Sequence, residues 1–163
     1  MSNSPPIMGD KVLFYGYRIV AACCVIQAVN LGGVFIFGVL FAELEREFGW
    51  SRTTISGASS FAFLIMGGGA VFMGRAGDRF GPRAVLTMAG IMFGLGYVLL
   101  FQIESAWELY LYYGLLVGTG VAAHDVGTLS TIARWFVRRR GLMTGFVKAG
   151  AGFGQVVAPI AAA

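Results

Sequence analysis

The sequence predicts an all-α membrane protein with five transmembrane helices and a cytoplasmic N-terminus. Three observations carry this. The 163-residue chain is 57% hydrophobic and 12% charged, with a mean hydropathy of +0.75, a membrane composition rather than that of a soluble core. Five apolar runs, at about 17–41, 54–73, 84–103, 109–133 and 142–163, each approach the ~20 residues that a bilayer-spanning helix needs. The cations flanking these runs are asymmetric. Lys11, Arg18, Arg75, Arg79, Arg83, Arg134, Arg138, Arg139 and Arg140 fall on one side, and Arg46 and Arg52 on the other. Positive residues in short loops mark the cytoplasmic side. The N-terminus is therefore inside, and five crossings put the C-terminus outside.

Residues 1–16 are polar, carry Pro5 and Pro6, and precede a run too long for a cleavable signal; they read as a cytoplasmic tail. In the first run, Arg18 anchors the inner end by snorkelling. Cys23 and Cys24 are adjacent and read as small membrane-helix residues, not a staple. Gln27 and Asn30 share one helical face. Amides in hydrocarbon need a partner or a water-filled cavity, so this face either lines a cavity or bonds a neighbouring helix. Residues 42–52 read as an outer loop, with Glu43, Glu45 and Glu47 against Arg46 and Arg52. Trp50 suits the interfacial aromatic belt, and Ser51 or Thr53 suits a helix cap.

The second run has a small-residue surface of Gly57, Ser60 and Gly67-Gly68-Gly69, which lets helix backbones touch. The third carries Gly90 and Gly94, and a short outer loop follows with Glu104 and Glu108 around Trp107. In the fourth, Tyr110, Tyr112 and Tyr113 read as interface anchors, and Gly114, Gly118, Thr119 and Gly120 make it slim. The fifth pairs Gly141 with Gly145 and Gly150 with Gly154, and holds Lys148, Gln155 and Pro159.

Between the second and third runs lies Gly74-Arg75-Ala76-Gly77-Asp78-Arg79-Phe80-Gly81-Pro82-Arg83. It reads as a tight turn at the membrane surface, with Pro82 suited to the first turn of the next helix. Asp78 stands at the C-terminal end of a helix, where a negative charge opposes the helix dipole. It needs a cation: Arg79 or Arg83 locally, or Arg134 across the bundle. The stretch resembles the loop between helices 2 and 3 of the major facilitator superfamily, with Gly74, Asp78, Arg79, Gly81, Arg83 and Leu86 in register. Ala76 and Pro82 depart from the usual pattern. The resemblance implies the N-terminal six-helix half of a twelve-helix transporter. The chain would be a partial sequence, lacking the sixth helix and the C-terminal half. It also implies that Gly74, Asp78, Arg79, Gly81, Arg83 and Arg134 form a conformational gate.

Tyr15-Gly16-Tyr17-Arg18, Phe48-Gly49-Trp50-Ser51-Arg52 and Ala133-Arg134-Trp135-Phe136 are similar to the monocarboxylate transporter and oxalate/formate antiporter branch. That branch implies a cell-membrane carrier of small carboxylates, coupled to a proton or a counter-anion. One departure is that the first helix has no lysine after Arg18, where some monocarboxylate carriers have one. Other readings remain open: another substrate class such as sugars or drugs, or a non-transporting sensor or assembly protein on the same scaffold.

The candidate substrate and proton-coupling residues are His124, Asp125 and Lys148, with Gln27 and Asn30. At ~1.5 Å per residue, Asp125 lies ~14 Å from Arg134, and Lys148 ~12 Å from Arg140. These similar depths allow the two to face each other across the hairpin of the fourth and fifth runs. Charge at this depth costs at least ~2.5–3.5 kcal/mol if isolated. Lys148 would bind a carboxylate while Asp125 or His124 handles a proton. The bland reading has Lys148 snorkelling to the surface and Asp125 neutral or bonded to the first helix. No nucleophile–base pair or Cys/His metal spacing occurs, so neither an enzyme, a metal site nor a cofactor is expected. The basic residues follow the membrane edges, which argues against nucleic acid as partner. The expected partners are the lipid bilayer, a small carboxylate, a proton or counter-anion, and the missing C-terminal half.

Overall fold

The computed structural model describes residues 9–136 and 139–162. Residues 1–8 of the expected tail, Arg138 and Ala163 lie outside them. Every regular element among the described residues is helical: α1 (Gly9–Phe48), α2 (Arg52–Phe80), α3 (Pro82–Leu100), α4 (Ala106–Leu109), a π segment (Tyr110–Val117), α5 (Gly118–Trp135) and α6 (Arg140–Ala162).

The helices outrun the apolar runs that announce them. α1 starts at Gly9, inside the stretch expected to be a tail, and continues through most of the expected outer loop. Glu43, Arg46 and Glu47 are good helix formers, and Arg46 reaches back to Glu43 at 3.0 Å. The helix ends at Gly49, whose φ of +64° is left-handed and whose N–H donates to the Glu45 carbonyl at 3.1 Å, a glycine C-cap. Arg52 Nε then bonds both Glu45 carboxylate oxygens, at 2.9 and 3.1 Å, closing the turn. Of the two possible caps, Ser51 takes the role, accepting from the Thr54 N–H at 3.2 Å.

The charged stretch between the second and third runs is corrected in the same way. Residues through Phe80 remain helical, and the turn shrinks to Gly81 alone. With φ +84°, Gly81 adopts a backbone that a side chain would strain. Its N–H donates to the Gly77 carbonyl at 3.1 Å. Pro82 opens α3 as expected.

The fourth run differs most from expectation. It divides into α4, the π segment and α5, which abut without a gap. Glu108 organises its start, accepting from the Glu104 and Ser105 N–H groups at 2.8 and 3.1 Å. The Glu104 amide first, and then that of Ser105, holds the Glu108 carboxyl below its ordinary range. Tyr113 is not an interface anchor. It is 2% exposed, stacks on Phe37 with centroids 3.8 Å apart and donates to the Val34 carbonyl at 3.3 Å. Tyr110 likewise turns in, donating to the Thr54 carbonyl at 3.0 Å. The i→i+5 winding of a π segment changes which side chains share a face, and a sequence pattern does not reveal it.

α5 and the π segment form the centre of the bundle, contacted by α2, α3, α1 and α6, while α1 and α6 share the most extensive seam. Among the described residues, Tyr15–Phe48, Arg52–Phe80 and Pro82–Leu100 are long and apolar enough to cross a membrane. The other two runs that the sequence predicts to cross are broken by the π segment or diluted by inward polar residues. Leu64, Phe72, Phe153 and Ile160 are each at least two-thirds exposed, as side chains facing lipid would be.

Close backbone approach builds the α1–α6 seam. A Cβ on Gly32 would meet Ala158 Cβ at 2.8 Å and the Gly154 carbonyl oxygen at 2.9 Å, and one on Gly150 would meet the Cys24 carbonyl oxygen at 2.9 Å. Gly154 lies against the Ala28 backbone. The expected Gly150/Gly154 pair is thus a contact surface. Gly141 and Gly145, like Gly67 and Gly68, face open space. Gly154→Val should therefore lower the thermal midpoint of the detergent-solubilised intact protein, with an overpacking cost of about 1–3 kcal/mol. Gly145→Ala should leave it unchanged or raise it slightly. Equal effects of the two substitutions would show that the seam is not tight.

Candidate functional site

The α1–α6 seam places α1 residues beside α6 residues, and α5 completes the wall. Gln27 and Asn30 from α1, Asp125 from α5, and Lys148 and Gln155 from α6 line one cavity of about 310 Å³, with Met66 of α2 at its edge. Lys148 Nζ donates to Asp125 Oδ1 at 2.5 Å. Gln27 Nε2 donates to the same Oδ1 at 2.8 Å and to Thr128 Oγ1 at 2.9 Å. Thr128 in turn donates to the His124 carbonyl of its own helix at 2.8 Å.

This resolves the two readings of Gln27: it lines the cavity and also bonds α5. It is 3% exposed, so its amide needs these partners. Asn30 is equally buried, yet its Oδ1 and Nδ2 find no hydrogen-bond partner among the described residues. Both amide atoms are sealed from the cavity, so a partner would reach them only if the wall moved. Lys148 and Asp125 are 47% and 42% exposed. They are paired but reachable, and among the described residues both bonds to the Asp125 carboxylate fall on Oδ1.

His124 is not part of this group. Its ring points to α3, edge-on to Phe93 at 6.1 Å, and a Cβ on Gly90 would lie 3.8 Å from its Nε2. Neighbours on a helix point ~100° apart, and here that separates His124 from the cavity. Gln155, about two turns beyond Lys148, completes the polar wall, and Thr128, about one turn beyond Asp125, lies buried behind it as a partner of Gln27. Gln155 carried the same signal as Gln27 and Asn30, an amide in an apolar run, whereas Thr128, a hydroxyl able to bond its own helix, carried none.

The second group lies at the arginine-rich end. Arg134 donates to Asp78 Oδ1 at 3.1 Å, joining the last turn of α5 to the last turn of α2. Of the three cations considered for Asp78, the distant one is bonded. Arg79 instead stacks over the Phe80 ring at 5.5 Å. Arg83 lies in the first turn of α3, where its carbonyl accepts from Thr87 at 3.0 Å. Gly74 faces Val126 of α5, and Gly81 forms the turn.

Comparison with known proteins supplies the family context. The profile of the Major Facilitator Superfamily matches residues 23–163. The chain is 31% identical over 138 residues to monocarboxylate transporter 13 of Bos taurus, covering 85% of this chain and 32% of that protein. It is 31% identical over 136 residues to monocarboxylate transporter 3 of Rattus norvegicus, covering 83% and 28%. It is 28% identical over 149 residues to MFS-type transporter 1 of Ophiocordyceps sp. (strain BCC 1869), covering 90% and 33%. The chain thus spans about a third of the length of these relatives.

The Asp78–Arg134 pair is open to solvent, with the two side chains 81% and 54% exposed, and exposed pairs contribute about 0–1 kcal/mol. A double-mutant cycle on Asp78→Asn and Arg134→Gln, read by thermal denaturation of the intact protein, should give a coupling within that range. A coupling well above it would show that other parts of the protein bury the pair.

Proposed function

The chain belongs to the Major Facilitator Superfamily, a family of multi-pass membrane transporters, and we propose that the intact protein is a secondary active carrier of small organic anions, of the monocarboxylate class, in the cell membrane. The observation that carries this reading is the Asp125–Lys148 pair on the wall of a polar cavity, braced by Gln27. The names of the monocarboxylate relatives point to the same substrate class.

In this reading α1, α2, α3, the α4–π–α5 rod and α6 each cross the bilayer, with the N-terminus and the arginine-rich end cytoplasmic. Lys148 is the anion site. While Asp125 is ionised, it occupies one of the three Lys148 donors. Protonating Asp125 removes that charge and leaves Lys148 to a substrate carboxylate. In an exchange cycle, the outgoing anion would release Lys148 to Asp125 until the incoming one arrives. Asn30, whose unpartnered amide is sealed in this state, would add a hydrogen bond to the substrate once the rocking of the halves opens the wall. Access would alternate as the two halves of the protein rock about the cavity, with the Asp78–Arg134 contact made in one state and broken in the other.

The test is uptake of labelled lactate, formate and oxalate by the intact protein in liposomes. Asp125→Asn and Lys148→Gln should each reduce uptake at least ~10-fold, the effect of losing about 1.4 kcal/mol of binding, with insertion unchanged. Stimulation by an inward proton gradient should vanish in Asp125→Asn. His124→Gln, on the α3 side, should retain uptake. Unchanged transport in both cavity variants would refute the assignment, and gradient stimulation that survives Asp125→Asn would remove its proton role.

A further inference from the structure

On the opposite face of α5 lies a second cavity, of about 410 Å³, between α2, α3 and α5. It shares no lining residue with the first. Thr119 and Ala123 face it, whereas Val121 and Asp125 face the other, as a two-residue offset of ~200° requires. Its wall is apolar: Met73 and Phe80 of α2, and Met88, Ala89 and Met92 of α3. The Thr119 hydroxyl donates to the Leu115 carbonyl at 2.6 Å, so the lining side chains offer a polar solute no donor and only the lone pairs of that oxygen. From Ala84 to Met92 the cleft follows α3 for ~12 Å, close to the depth of one leaflet of a ~30 Å hydrocarbon core. Met88 and Phe80 are 62% and 67% exposed, so the cleft opens sideways. Its shape suits a chain, and its methionines adapt to a flexible one.

One end of the cleft is cationic. Arg79 stacks its guanidinium on Phe80, a wall residue, and Arg83 stands in the first turn of α3, at the same end of the cleft. The acid in this stretch, Asp78, is bonded to Arg134. Among the described residues, neither Arg79 nor Arg83 forms an ion pair. Guanidinium groups bind phosphate through paired, charge-assisted hydrogen bonds.

We propose that this cleft binds an anionic phospholipid. One acyl chain lies along α3 against Met88 and Met92, and the phosphate sits between Arg79 and Arg83. The binding is separate from the Asp125 cavity and does not depend on which solute the protein carries.

Native mass spectrometry of the intact, delipidated protein tests this. The probes are equimolar palmitoyl-oleoyl phosphatidylglycerol and phosphatidylcholine in mixed micelles. The wild-type protein should retain the anionic lipid on the order of tenfold over the zwitterionic one, as two membrane-surface arginines predict. The Arg79→Gln/Arg83→Gln double variant should lose that preference. Met88→Trp, at an exposed position, should plug the cleft and lower retention of both lipids several-fold, with the thermal midpoint reporting an intact fold. Equal retention of both lipids by the wild type, or an unchanged preference in the double variant, would overturn the headgroup site. Unchanged retention in Met88→Trp would overturn the chain site.

Discussion

The contact between the backbones of α1 and α6 sets the positions on which the rest of the structure depends. Without lipid-excluding hydrophobic force between helices, packing in a membrane rests on how closely backbones approach. Gly32, Gly150 and Gly154 let α1 and α6 touch along several turns. Gly154 meets Ala28 and Gly150 meets Cys24, which fixes the register of the two helices. That register sets Gln27 and Asn30 of α1 beside Lys148 and Gln155 of α6. A side chain at Gly154 would separate the helices and widen the polar wall, so an apolar glycine seam controls a charged site that it does not touch.

Electrostatics then determines how the wall is wired. In the proposed membrane placement Lys148 and Asp125 lie too deep to be left unpaired, yet they are not sealed, since each is more than a third exposed. A fully buried ion pair would resist opening because each partner would lose its compensation. A half-exposed pair can exchange its partner for water or for an anion at lower cost. Gln27 adds a bond to the same carboxylate oxygen, which orients Asp125 without neutralising it. In the proposed cycle this arrangement would hold the carboxylate in place through a change of its charge.

Much of this was legible in the sequence. The depth arithmetic put Asp125 and Lys148 at one level, and the structure joins them. Asp78 at a helix C-terminus needed a cation, and Arg134 at the same end of the bundle supplies it. Element ends were less legible, because hydropathy reports where lipid contacts a helix and not where its hydrogen bonds stop. Thus Glu43–Glu47 and Gly74–Phe80 are helical although polar. The π segment was not legible, since its winding is a backbone property without a distinctive composition, and Tyr113 was misplaced with it. His124 fell between the two cases. Its adjacency to Asp125 drew attention to it, while the ~100° step between helical neighbours already argued that they face different sides.

The turn at Gly81 shows why the ends of helices matter as much as their middles. Had residues 74–83 formed a loose loop, Asp78, Arg79 and Arg83 would have sampled many arrangements. With α2 helical to Phe80 and α3 helical from Pro82, one residue with restricted geometry separates them. Asp78 and Arg79 are then fixed in adjacent directions on the last turn of α2. Asp78 faces α5 and Arg134, while Arg79 lies over Phe80 toward the apolar cleft. The same turn thus divides opposite charges between two neighbours. The Asp78–Arg134 contact it creates is solvent-exposed and hence weak. In the proposed cycle this weakness would let the contact form and break, whereas a strong one would hold the protein in a single state.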